Sequence, residues 1–130
     1  MRLLLDSHVF LWWLQDSRRL SREARRVIES PTSDVMVSAA SVWEIAIKVA
    51  IGKLKWSDAP GLDIDASIVA CGFTELPVTA RHAAAVRRLP PHHGDPFDRL
   101  LIAQALTEDL RIVTADQVFS RYGVPTIPAA

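Results

Sequence analysis

Cysteine is almost missing from this chain: Cys71 is the only one in 130 residues. That excludes an internal disulfide and any cysteine-built zinc module, suits a reducing cytoplasm, and leaves Cys71 as a small core residue rather than a nucleophile. Glycine is sparse at five residues, and proline numbers an ordinary eight. They act as local punctuation at Pro60-Gly61, Pro90-Pro91 and Gly94, with no repeat or low-complexity tract. No apolar run is long enough to span a bilayer, and the opening run Arg2 to Leu5 is too short for a secretory apolar region, because Asp6 and His8 interrupt it. An excess of one charge is missing too: 15 basic and 15 acidic residues cancel. Without a global positive field, any nucleic-acid contact must rest on local clusters such as Arg18-Arg19-Arg22 or Arg87-Arg88, although solvated arginines are the ordinary reading of both. What the chain does have is 49% hydrophobic residues, enough for one compact, soluble domain with its own core.

Short apolar runs alternate with helical patterns. Leu3 to Leu5 suits a buried strand, and Ser7 to Gln15 a helix, meeting at Asp6. A second helix starts at Ser21, with Leu20, Ala24, Val27 and Ile28 on one face and arginines on the other. Val35 to Val37 reads as a strand that ends in the small residues Ser38 to Ala40. A helix follows from Ser41 to Ile51, and Gly52 stops it. Trp56 to Asp63 has loop composition, Ile64 to Cys71 reads as a helix and Phe73 to Val78 as a strand. Thr79 caps a helix running through Ala83, Val86 and Leu89, which Pro90 and Pro91 end. Asp95 caps the most legible helix, extending to Asp109 with Pro96 in its first turn. Arg111 to Thr114 and Val124 to Ile127 complete the strands. The alternation predicts an α/β fold with a parallel sheet covered on both faces.

Four acids, Asp6, Glu44, Asp98 and Asp116, stand where these strands end or helices begin. Each has an ordinary structural reading: Asp6 and Asp116 as N-caps, Asp98 as a first-turn acid, Ser41-Val-Trp-Glu44 as a capping box, and Glu44 as a partner for Lys48. Their surroundings argue for more. Glu44 lies on an otherwise apolar helix, and Asp98 shares its face with Leu101, Ile102 and Ala105, whereas a decorative acid faces water. In a parallel sheet the carboxyl ends of the strands share one edge, so the four can converge there. Two carboxylates about 4 Å apart repel by about 4 kcal/mol at an effective dielectric near 20, so such a cluster calls for cations. All-oxygen ligands select Mg²⁺ or Mn²⁺ over Zn²⁺, and the matching chemistry is phosphodiester cleavage, in which one ion activates water and a second, if present, steadies the leaving 3′ oxygen.

Supporting candidates are less specific. Ser7 and Thr114 stand beside two of the acids and can hold a water, or can make turn hydrogen bonds. Asp95 can cap. Arg99 can bind a scissile phosphate or balance Asp98 and Asp95. His92 and His93 lack any HExxH context and read as a polar loop beside the site rather than as ligands. Trp12, Trp13, Trp43 and Trp56 read as core, with one of the adjacent Trp12 and Trp13 turned toward an interface.

The segments LLLDSHVFLWWL, SAASVWEIAIKVAIGKL, LPVTARHAAAVRRLPPHHGDPFDRLLIAQAL and RIVTADQVFSRYGV resemble the PIN domain, in particular the VapC-type toxins of bacterial toxin-antitoxin pairs, over nearly the whole chain. The resemblance implies one domain over residues 1–130, a five-stranded, mostly parallel α/β/α sandwich, with Asp6, Glu44, Asp98 and Asp116 as the metal-binding acids. It further implies a Mg²⁺- or Mn²⁺-dependent endoribonuclease cutting tRNA or rRNA to arrest translation, a homodimer, and a hetero-oligomer with a cognate antitoxin whose tail covers the groove. One departure is that Asp116 is followed by Gln117 and Val118, without the second acid some relatives carry. An aspartyl phosphatase fits poorly, since His8 stands two residues after Asp6 where such an enzyme places an acid. A PIN-like interaction module without nuclease activity is the remaining alternative, and retention of all four acids argues against it.

Overall fold

The computed structural model describes residues 1–56 and 62–130. Five strands, β1 (Arg2–Leu5), β2 (Asp34–Ser38), β3 (Thr74–Leu76), β4 (Arg111–Thr114) and β5 (Thr126–Pro128), form one sheet in the order β3-β2-β1-β4-β5, every pair parallel. Six α-helices accompany them: α1 (Ser7–Leu14), α2 (Arg22–Glu29), α3 (Ala39–Ala50), α4 (Ile64–Ala70), α5 (Ala80–Ala85) and α6 (Pro96–Glu108). The α/β fold with a parallel sheet that the alternating pattern predicts is therefore present.

Successive strand residues point to opposite faces, and the core divides accordingly. Leu3, Leu5, Val35, Val37, Val113 and Ile127 pack with Phe10, Ala24, Ile45 and Ile68 on one side. Leu4, Leu76 and Ile112 pack with Leu101, Ile102, Phe119 and Tyr122 on the other. Leu3, Leu4 and Leu5 of the central strand are wholly buried, as a strand covered on both faces requires. The chain steps outward from β1 to β2 and β3, then returns to add β4 and β5 on the opposite flank. The reversal falls between β1 and β4, and a crevice at the carboxyl ends of the strands opens at such a switch point. No helix among the described residues is long and apolar enough to cross a membrane.

Several boundaries differ from the sequence expectation. Helix α3 begins at Ala39, capped by Ser38, whose hydroxyl accepts from the Ala40 amide at 3.0 Å. Ser41 is therefore the third helical residue and Glu44 the sixth, so Ser41 is not the N-cap and the capping-box reading fails. Helix α5 ends at Ala85 and tightens into a 3-10 turn, Val86–Arg88, instead of running through Leu89. Strand β3 is shorter than Phe73 to Val78, and β5 lies slightly later than Val124 to Ile127. A 3-10 helix, Gln117–Tyr122, follows β4 and buries Phe119 and Tyr122. Gly52, at φ 75°, lets the chain leave α3 through a left-handed residue. Within the expected loop from Trp56 to Asp63, residues 57–61, including Pro60-Gly61, lie outside the described residues.

Candidate metal centre

Each of the four acids reaches the switch-point edge by a different local route. Asp6 follows β1, and its backbone N–H donates to the Val113 carbonyl, extending the β1–β4 pairing by one residue. It occupies the N-cap position of α1 yet makes no side-chain cap hydrogen bond. Instead, its Oδ2 accepts from the Thr114 hydroxyl at 2.8 Å, and its Oδ1 is buried with no partner among the described residues. The simple N-cap reading of Asp6 is thus corrected. Asp116 does cap: its Oδ1 accepts from the Val118 amide at 2.9 Å. The Thr114 hydroxyl, besides donating to Asp6, accepts from the Asp116 amide at 3.0 Å and so joins the two acids.

Glu44 points inward from α3, with 5% of its surface exposed against 4% for Asp6. Its Oε2 lies 3.2 Å from Lys48 Nζ, one turn along, while Oε1 is buried without a partner. Asp98, in the first turn of α6, shares a neighbour with Asp116: His93 Nε2 lies 3.0 Å from Asp98 Oδ2 and 2.9 Å from Asp116 Oδ2. Burial is the main reason the Asp98 carboxyl is pushed up to about 7. Repulsion by Asp6, Asp95 and Glu44 adds to it, and His93 opposes it. Burial likewise raises Asp6, against the hydrogen bond from Thr114, the nearby His8 and the Ser7 backbone, with Glu44 adding repulsion. Asp6, Glu44 and Asp98 thus lie near enough for their charges to act on one another, while Asp116 is joined to Asp98 through His93 and to Asp6 through Thr114.

The supporting candidates divide differently. Ser7 is buried, and its hydroxyl donates to Ser41 Oγ at 2.9 Å. Since the Thr114 proton is directed at Asp6, neither hydroxyl donor is directed at a water. Asp95 is the N-cap of α6, its Oδ1 accepting from the Phe97 and Asp98 amides at 2.8 and 3.3 Å. Arg99 is aimed away from Asp98 and Asp95: its guanidinium donates to the carbonyls of Val86, Leu89 and Pro90 and to the Tyr122 hydroxyl. His93, read from sequence as loop, stands inside the acidic cluster. The available signal was its place two residues before the Asp95 cap.

Trp43 departs from the core reading as well. It is 61% exposed and meets Phe97 edge-on, ring centroids 5.2 Å apart. Once Ser41 and Glu44 face inward, Trp43, Ile47 and Ile51 are left on the outer side of α3, an exposed apolar strip beside the site. Trp12, Trp13 and Trp56 are partly buried and pack against the core.

An anionic cluster with two buried, unpartnered carboxylate oxygens is costly in isolation. A hard divalent cation matches this donor set, because it accepts several carboxylate oxygens and compensates their charge. Removing the link between Asp6 and Asp116 should be costly even without metal. Thr114→Val is expected to destabilise the fold by about 1–3 kcal/mol, since Asp6 Oδ2 and the Asp116 amide both lose their partner. Denaturant titration at neutral pH measures this, and an unchanged midpoint would show that the hydroxyl holds nothing together.

Residues 3–125 match the family model described as the PIN domain. The chain is 35% identical over 122 residues to Ribonuclease VapC22 of Mycobacterium tuberculosis, covering 88% of this chain and 87% of that protein. Among solved structures it is similar to VapBC2 from Rickettsia felis bound to a promoter DNA fragment, with TM-score 0.75, 13% identity and full coverage of both chains. It is also similar to DNA-bound VapBC from Salmonella typhimurium, with TM-score 0.73, 14% identity and 98% coverage of each. At those identities the structural likeness speaks for the fold.

Proposed function

This chain belongs to the PIN-domain family, and from that membership and the geometry of its acidic site we propose that it is the toxin of a type II toxin-antitoxin pair. In this reading it is a Mg²⁺- or Mn²⁺-dependent endoribonuclease that cuts RNA, tRNA or rRNA being the expected class, and a cognate antitoxin neutralises it. The observation that carries the reading is that, among the described residues, Asp6 Oδ1 and Glu44 Oε1 are buried and unpartnered, with the charges of Asp6 and Glu44 acting on Asp98 and His93 joining Asp98 to Asp116. Those oxygens are the first candidates to hold the ion, with the carboxylates of Asp98 and Asp116 completing the set. When bound, such an ion supplies Lewis acidity toward water and charge compensation for a scissile phosphate.

The protein's own residues provide placement. Thr114 holds Asp6 and Asp116 in register across β4, and Lys48 orients Glu44 from the outer turn of α3. The exposed Arg18, Arg19 and Arg22 lie around the start of α2, which Ser21 ties to the end of β5 through the Pro128 and Ala129 carbonyls. They therefore share the acids' edge of the sheet and offer positive charge to an RNA backbone. The apolar strip of Trp43, Ile47 and Ile51 gives a protein partner something to cover. Similarity to a curated ribonuclease supports catalysis over the binding-only alternative.

The decisive experiment incubates the purified chain with total RNA and sequences the new ends. Discrete cuts are expected with Mg²⁺ or Mn²⁺ and none with EDTA. Expression in a bacterial host should arrest growth, and co-expression of the adjacent antitoxin gene should restore it. Intact RNA at every ion concentration would leave the interaction-module reading in its place.

A further inference from the structure

Resting on the metal-centre reading above, we infer that His93 is a positioning residue whose imidazole, fixed as the Nε2–H tautomer, holds the carboxylates of Asp98 and Asp116 together without ligating the ion. His93, Asp98 and Asp116 do present three potential ligand atoms within 4.8 Å of one another. The hydrogen bonds decide what the nitrogen does. His93 Nδ1 accepts from the Asp95 backbone N–H at 3.1 Å. A neutral imidazole has one acceptor and one donor nitrogen, so the proton sits on Nε2, the atom facing both carboxylates. A ligating histidine binds its metal through one bare nitrogen and donates the N–H of the other. For His93 that arrangement would turn an Nδ1–H against the Asp95 N–H, donor against donor. The ring is therefore set to donate, one N–H shared between two acids.

The surrounding structure holds both the ring and its backbone in place. Phe119 meets it edge-on with ring centroids 5.9 Å apart. The His93 backbone N–H donates to the Tyr122 hydroxyl at 2.7 Å, and Arg99 donates to the same hydroxyl at 3.3 Å. Arg99 also grips the Val86, Leu89 and Pro90 carbonyls of the segment leading to His93. Because Arg99 follows Asp98 in sequence, it fastens the incoming loop to the helix that carries one of the acids. Two carboxylates without a shared donor turn apart under their mutual repulsion; His93 holds them convergent while the unpartnered oxygens of Asp6 and Glu44 stay open to the cation.

The test reads the ring and the ion separately from cleavage. Long-range ¹H–¹⁵N spectra of the wild-type protein should show the His93 proton on Nε2 both before and after Mg²⁺ is added. Calorimetric Mg²⁺ affinity should fall by about 10–100-fold in His93→Ala, the range for losing a partner of a metal ligand. It should return to within a few-fold of wild type in His93→Gln, whose amide can still donate, and circular dichroism would establish that both variants fold. A proton that leaves Nε2 when Mg²⁺ binds would overturn the inference in favour of direct ligation. Unchanged affinity in His93→Ala would overturn it in favour of a bystander. A wild-type protein that takes up no Mg²⁺ would instead remove the metal-centre reading and this inference with it.

Discussion

Asp98→Asn should yield a protein at least about a hundredfold less active toward RNA and, without metal at pH 8, more stable than the wild type. Both effects come from the same carboxylate. Burial and the charges of Asp6, Asp95 and Glu44 push its titration from 3.8 up to about 7, so holding it ionised in the folded state is unfavourable. That displacement corresponds to on the order of 4 kcal/mol as an upper bound, and water at its exposed edge trims the figure. An isosteric amide removes the charge, keeps the helical turn, and leaves a weaker ligand for the ion. Paired measurements of cleavage rate and thermal midpoint in EDTA separate this from misfolding. A variant that is inactive and also less stable would point to lost packing, and one with full activity would sink the nuclease assignment to this site.

The second large effect concerns pH and metal together. For an acid raised in the folded state, the native protein keeps a proton that the unfolded chain has already released. The metal-free protein is therefore expected to lose stability as pH rises from about 4 through about 7, the interval between the two titrations of Asp98. Asp6, also raised, acts in the same direction. A divalent cation competes with these protons, so Mg²⁺ should raise the melting temperature far more at pH 8 than at pH 6. At a hundredfold excess over the dissociation constant, binding contributes about 2.7 kcal/mol. Thermal scans in EDTA and in Mg²⁺ across this range provide the check. A flat metal-free profile, or equal Mg²⁺ shifts at both pH values, would contradict the idea that the acids share a cation site.

How much of this was readable in the sequence depended on whether the signal was local. Helix α6 announces itself, because Asp95, Pro96 and the apolar face through Ala105 all agree, and its position follows within a residue or two. The strands of the sheet centre are equally plain, since burial on both faces leaves almost nothing but Leu, Ile and Val there. The start of α3 was harder: Ser38, Ala39 and Ala40 are small enough to end a strand or open a helix, and only the Ser38 hydroxyl on the Ala40 amide decides. The 3-10 helix after Asp116 is too short for periodicity to show.

At the site, sequence spacing pointed to the four acids, while the groups that organise them are tertiary. Thr114 meets Asp6 from 108 positions away, and His93 meets Asp116 from 23. Arg99 shows why charge type alone misleads. Asp98 precedes it and Asp95 lies four residues back, yet its guanidinium satisfies backbone carbonyls of the 3-10 turn and loop before His93, which no local pattern brings near.

The hydrogen bond from Thr114 to Asp6 has a consequence for when the site comes into being. Asp6 leaves the ribosome well ahead of Thr114, which emerges with β4 only after more than a hundred further residues have been made. Until then β1 lacks one of its two neighbouring strands, and Asp6 lacks the hydroxyl that orients it. A nascent chain halted just before β4 thus carries Asp6, Glu44 and Asp98 as separate acids on an unfinished sheet. Contacts of such long sequence separation also form late in folding. On the proposed reading, a site that attacks RNA is in this way inert until β4 has been made, which leaves an interval in which an inhibitor can be supplied.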